Sequence, residues 1–171
     1  MTLDDFNHLS EAQALATLEQ CCAAGAWARP VADGRPYASL EALLEASDLA
    51  WAATGEADWL TAFTAHPQIG NVDTLRAKYA NTKALAAGEQ SAVQSSTDEV
   101  LEALAAGNQQ YLQQNGFIFI VCASGKSAPE MLALLQARLG NSRDQELRTG
   151  AAEQHKITTL RIRKLFGEAD T

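Results

Sequence analysis

Apolar side chains recur at intervals of three and four along most of this 171-residue chain, and a single run, Phe117-Ile118-Phe119-Ile120-Val121-Cys122-Ala123, has the β-branched and aromatic content of a strand. One strand cannot make a sheet, because its N–H and C=O groups need neighbouring strands. The chain is therefore predicted to be all-α: a single compact helical domain over residues 1–171, with one short extended, buried segment at 117–123.

Caps and punctuation lay out the helices. Leu15, Leu18 and Cys22 form one stripe after a Ser10 cap, and Leu40, Leu43, Leu44 and Trp51 form a second after Ser39. Pro30, Gly34 and Pro36 separate these two, and Gly55 separates the second from a shorter helix around Ala57 to Ala65. Val93, Val100, Leu101, Leu104, Tyr111 and Leu112 predict a long helix from about Glu89 to Gln114, which Gly107 weakens locally. Beyond the extended run, Ser127 and Glu130 form a capping box with Pro129 in the first turn, and Met131, Leu134, Leu135 and Arg138 follow at helical spacing. A last helix runs from near Asn141 or Ser142 to Phe166.

Length and charge narrow the partners. A chain of this size buries roughly 70% of its unfolded surface in one core. The formal net charge of −8 opposes a nucleic-acid backbone or an anionic membrane surface. Phe117 to Ala123 is far short of the roughly 20 apolar residues of a membrane helix, and Met1 to Ser10 lacks the basic and apolar regions of a signal peptide. Cys21, Cys22 and Cys122 do not make a disulfide framework, so a reducing, cytoplasmic address is expected. His8, His66 and His155 are scattered, without the paired spacing of a tetrahedral metal site, and no metal is expected.

Four short features bear on chemistry. An apolar run followed by Gly125-Lys126-Ser127 and a helix resembles a phosphate-binding loop, but that motif needs a glycine where this chain has Ile120. In His66-Pro67-Gln68-Ile69-Gly70 the proline biases His66 away from helical φ/ψ, so His66 ends the preceding helix, either as a cap for its last carbonyls or as a functional group. Glu89-Gln90 stands at the start of the long helix, where the dipole alone favours a carboxylate. Arg161 lies beside the apolar stripe of the last helix and must snorkel, pair with a carboxylate or face a cavity.

Taken together and in order, His66-Pro67-x-Ile69-Gly70, Glu89-Gln90, Phe117-x-Phe119-Ile120-x-x-Ala123-x-Gly125-Lys126-Ser127, then Glu130 with Leu132, Leu135, Arg138, Leu139 and Asn141, and finally Glu153-x-x-Lys156-Ile157-x-x-Leu160-Arg161 resemble the motif series of 2-oxo-4-hydroxy-4-carboxy-5-ureidoimidazoline (OHCU) decarboxylases. The resemblance covers nearly the whole chain. Three residues before Glu89, where the family carries serine, this chain has Ala86.

The resemblance implies a cofactor-free carboxy-lyase of urate degradation that converts OHCU to (S)-allantoin, acting as a homodimer. It implies His66 as acid/base and Glu89 as the catalytic carboxylate that holds the substrate hydroxyl and tunes His66. Substrate contacts are implied for Pro67, Ala86, Ala87, Gly88, Gln90 and Arg161, and for the main chain of Phe119, Ile120, Val121, Cys122 and Ala123. A non-catalytic helical module binding a ureide or purine-derived ligand is the alternative, and an all-α interaction domain is a third reading. Alignment of Glu89, Gln90 and Arg161 with His66 would separate the first two from the third.

Overall fold

Hydroxyl caps start the chain's first helices. In the computed structural model, which describes residues 1–67, 72, 73, 75 and 90–167 (for 90–97 the backbone alone), Thr2 and Ser10 each open a helix with a reciprocal capping box. These helices are α1 (Leu3–Asn7) and α2 (Glu11–Glu19). They are followed by α3 (Gly25–Asp33), α4 (Leu40–Ala52), α5 (Glu56–Thr64), α6 (Gln90–Asn115), α7 (Ala128–Arg138) and α8 (Arg143–Leu165). Among the described residues there is no strand, so the all-α expectation holds. The run 117–123 is non-helical, with Phe117, Ile120 and Cys122 buried.

Two local expectations change. Pro30 lies inside α3 instead of separating two helices. Trp27, Ala28, Val31 and Ala32 of that helix are buried, and burying the tryptophan and valine alone at about 1.5–3 kcal/mol each offsets the ~3 kcal/mol that an interior proline costs. At α7 the Ser127 hydroxyl oxygen accepts the Glu130 N–H at 3.3 Å and donates to the Glu130 carboxylate at 3.0 Å. The glutamate thus closes back on the capping hydroxyl.

Contacts group the chain into two interleaved units. The first comprises residues Met1–His66, Ile120–Cys122 and Leu147–Thr171. Phe6, Leu18, Trp27, Val31, Leu43 and Ile162 are at most 1% exposed at its centre. Both of its buried indole N–H groups find acceptors inside: Trp27 Nε1 donates to Ser47 Oγ at 3.1 Å, and Trp51 Nε1 donates to the Ala151 carbonyl of α8 at 3.1 Å. The Arg35 guanidinium donates to the carbonyls of Phe6, Leu9 and Ala32, tying the end of α3 to the α1–α2 corner. Gly150 of α8 admits the Phe63 ring of α5, since a Cβ there would stand 3.0 Å from Phe63 Cζ.

The second unit comprises Pro67–Phe119 and Ala123–Glu146 and is built on α6 against α7. Gly107, expected to weaken the long helix, is where Leu135 of α7 packs; a Cβ would meet Leu135 Cδ2 at 2.7 Å. Glu146 is fully buried and accepts from Tyr111 Oη at 2.7 Å, Arg138 Nε at 2.7 Å and Asn141 Nδ2 at 2.8 Å. Three donors compensate the carboxylate's lost hydration. No helix among the described residues is long and apolar enough to cross a membrane.

Candidate functional site

Helix α8 carries polar side chains at Gln154, Thr158 and Arg161, spaced four and three residues apart and therefore on one face. Gln154 and Thr158 are 1% exposed, whereas Arg161 is exposed. The helix α5 ends at Thr64, and the His66 N–H continues one bond further to the Phe63 carbonyl at 3.1 Å. This turn brings the His66 ring to α8, with Nε2 2.5 Å from Gln154 Oε1. The ring therefore does not cap its own helix. Gln154 Nε2 in turn donates to Thr158 Oγ1 at 3.1 Å, and Thr158 Oγ1 donates to the Gln154 carbonyl at 2.9 Å.

Burial holds the His66 pKa below the ordinary histidine value, the Arg161 charge lowers it further, and the Gln154 hydrogen bond opposes both. At neutral pH the ring is a neutral imidazole able to take a proton. Arg161 Nη1 donates to the Cys21 carbonyl at 3.3 Å, so part of its fork is engaged with the main chain. Burial pushes the Cys21 thiol up to about 11 and raises that of Cys22. Both remain thiols, which makes them poor nucleophiles.

The extended run reaches the same helix. Glu153 Oε1 accepts the Cys122 N–H at 3.0 Å, and Glu153 Oε2 pairs with Lys156 Nζ at 2.5 Å. One main-chain donor of the run is thus engaged by a side chain. Ile120 and Cys122 are buried, while Val121 is partly exposed. In the second unit, Phe119 lies under the Arg138 guanidinium, 4.5 Å from the ring centroid, and meets Tyr111 edge-on at 5.3 Å. Ala123 is partly exposed, and its carbonyl accepts the Lys126 N–H at 3.0 Å.

Of the residues expected at a site, His66, Arg161 and the main chain at Cys122 are each held by α8 or lie on it. Pro67 is exposed. Glu89, Ala86, Ala87 and Gly88 lie outside the described residues, as do Ile69 and Gly70, and Gln90 is described only as the first residue of α6. Sequence reasoning missed Gln154 and Thr158. Their signal was present as two polar residues on the buried stripe that leads to Arg161. Among the described residues, no group of three or more His, Cys, Asp or Glu side chains has the arrangement to hold a metal ion.

Comparison with known proteins adds an independent line. The OHCU decarboxylase family model matches residues 7–163. The chain is 37% identical over 148 residues to the uric acid degradation bifunctional protein TTL of Arabidopsis thaliana, covering 86% of this chain but 46% of that protein, less than half its length. It is 24% identical over 167 residues to the 2-oxo-4-hydroxy-4-carboxy-5-ureidoimidazoline decarboxylase of Haloferax volcanii, covering 97% and 96% of the two chains. Its fold is similar to a crystal structure of OHCU decarboxylase in the presence of (S)-allantoin, with TM-score 0.68, 35% identity and coverage of 88% and 96%. A crystal structure of (S)-allantoin synthase shares the fold at TM-score 0.70 and 20% identity, over 96% of this chain and 53% of that one.

Proposed function

This chain belongs to the OHCU decarboxylase family, and from that premise we propose that it converts OHCU to (S)-allantoin with loss of carbon dioxide, in urate degradation. The observation that carries the reading is a half-buried His66 whose pKa is lowered and whose Nε2 is hydrogen-bonded to Gln154, in a chain matched by that family over residues 7–163.

The substrate supplies its own electron sink, so the reaction asks for no cofactor. The bond from the carboxylate to the hydroxyl-bearing carbon breaks, and its electron pair forms a C=C bond to the adjacent carbon. The imine π pair moves to nitrogen, which takes up a proton, and carbon dioxide leaves. The resulting enol gives its hydroxyl proton to a base while the former imine carbon is protonated on one face. One proton is consumed overall. His66 is the base for the enol, and Glu89 holds the hydroxyl. Gln90 bonds the ureido or ring amide, and Arg161 presents its planar fork to carbonyl or carboxylate oxygens. Pro67, Ala86, Ala87, Gly88 and the main chain of 119–123 complete the contacts in this reading. Ala86 has no hydroxyl to offer.

We place the protein in the cytoplasm as a homodimer, with residues 1–171 acting as one domain. The buried Cys21, Cys22 and Cys122, none of them in a disulfide, suit a reducing compartment, and the interleaving of the two units along the chain suits one domain. Light scattering on the eluting peak tests the dimer. Circular dichroism of OHCU freshly generated by urate oxidase and hydroxyisourate hydrolase tests the activity: wild-type protein gives rapid appearance of one allantoin enantiomer, and His66→Asn gives none above the spontaneous rate. Full rate from His66→Asn overturns the role of His66, and binding without turnover by the wild type favours the non-catalytic module.

A further inference from the structure

A histidine that exchanges a proton with substrate must present the right nitrogen, and the described residues around His66 decide which one that is. We infer that Gln154 is a positioning residue that fixes His66 as the tautomer protonated at Nε2, leaving Nδ1 as the proton-accepting nitrogen. This inference rests on the reading of His66 as the acid/base.

Donor accounting gives the assignment. Thr158 has one hydroxyl proton, and its oxygen lies 2.9 Å from the Gln154 main-chain carbonyl, one helical turn back. With the proton committed there, Thr158 Oγ1 faces the Gln154 amide with lone pairs. The 3.1 Å contact must then be an amide N–H donating to the hydroxyl oxygen, which turns the amide carbonyl toward His66. The 2.5 Å contact between Gln154 Oε1 and His66 Nε2 therefore requires a hydrogen on Nε2. The flipped amide would either set a carbonyl oxygen against the Thr158 lone pairs or draw the hydroxyl proton away from the Gln154 main-chain carbonyl, giving up the 2.9 Å bond. Both residues are 1% exposed, so water cannot compensate for that mismatch.

Burial keeps the ring neutral at neutral pH, so a single nitrogen carries the proton. Among the described residues Gln154 is the one hydrogen-bond partner of the ring. An uncharged amide suits this task, because it orients the ring while raising the ring pKa less than a charged acceptor would. A carboxylate at position 154 would favour the imidazolium and spoil the base.

Nitrogen NMR of the full-length, 15N-histidine-labelled protein near neutral pH reads the tautomer directly. The expected wild-type spectrum shows His66 with a protonated Nε2, a slowly exchanging Nε2–H and an unprotonated Nδ1. Gln154→Leu and the near-isosteric Thr158→Val lose the slowly exchanging proton and show mixed tautomers, with kcat reduced on the order of tenfold and KM little changed. Gln154→Glu restores the Nε2–H and raises the ring pKa. A proton on Nδ1 in the wild type, or a Thr158→Val spectrum identical to wild type, overturns the inference. An inactive wild-type protein would instead overturn the decarboxylase reading, and the spectrum would still settle the tautomer.

Discussion

The carboxylate of Glu153 accepts the main-chain N–H of Cys122 at 3.0 Å, across 31 residues of sequence. Through this bond, α8 holds a run that has no strand neighbour among the described residues, and a charged acceptor makes the bond stronger than a neutral one. The same carboxylate pairs with Lys156 on its own helix, which restricts its rotamers. Glu153→Ala removes the acceptor and should cost about 1–3 kcal/mol. At roughly 2–4 °C per kcal/mol for a chain of this size, calorimetry reads a fall in Tm of several degrees. Glu153→Gln keeps an acceptor oxygen and should lose less.

Burial does most to lower the His66 pKa, and Arg161 adds to it. Its positive charge is one of the two influences that lower the His66 pKa, so Arg161→Met should move that pKa upward. An NMR titration of the His66 ring in the two proteins measures the shift without relying on turnover. A downward movement, or none, contradicts the electrostatic assignment.

The same depressed pKa predicts the sign of a stability change. Between the folded pKa and the ordinary histidine value of 6.5, the unfolded chain binds more protons at this position than the folded one. Stability from this group is thus fully present above 6.5 and is lost as pH falls toward the folded pKa. His66→Asn should flatten that part of the stability curve, measured by urea unfolding between about pH 5 and 7.

Gly150 is a packing requirement upstream of the site. An alanine Cβ would stand 3.0 Å from Phe63 Cζ, and the Phe63 carbonyl holds the His66 N–H. Gly150→Ala should destabilise by about 1–3 kcal/mol through overpacking. It should also lower kcat, since displacing Phe63 moves His66 relative to Gln154. Gly107→Ala, against Leu135 in the other unit, should lower Tm with a smaller effect on kcat.

Glu146 tests the second unit by itself. Glu146→Ala leaves Arg138 with its Nε partner removed in a buried setting, where breaking such a pair costs about 3–5 kcal/mol. Thermal unfolding should fall by at least 6 °C on the scale used above. Glu146→Gln, which keeps an oxygen for Tyr111 or Arg138, should recover part of that loss.

Most of the fold was legible in the sequence. The Ser10, Ser39 and Ser127 caps all appear as N-caps of real helices, and Gly55 begins α5 as the turn residue expected of it. The short α1 and the proline-bearing α3 were not legible, because what holds them is burial of Phe6 and Trp27 against distant parts of the chain. At the site, His66, Arg161 and the 117–123 run were visible as anomalies: a histidine before proline, a guanidinium beside an apolar stripe, and an extended run in a helical chain. Gln154 and Thr158 went unread, since each alone is an ordinary helical residue and only their shared place on the stripe between Ala151 and Ile162 marks them.

Periodicity, caps and motif order by themselves determined that this chain is helical, where its main helices begin and which family it resembles. They could do so because each depends on neighbours within a few turns of the chain. Tertiary structure alone decided which partner each polar group meets: His66 with Gln154 across 88 residues, Cys122 with Glu153, and Arg161 with the Cys21 carbonyl across 140. Such pairings depend on hydrogen-bond geometry inside a low-dielectric interior, where one unmatched donor outweighs many local preferences. That is why the histidine could be picked out from its own segment, while the face it presents depends on a helix near the other end of the protein.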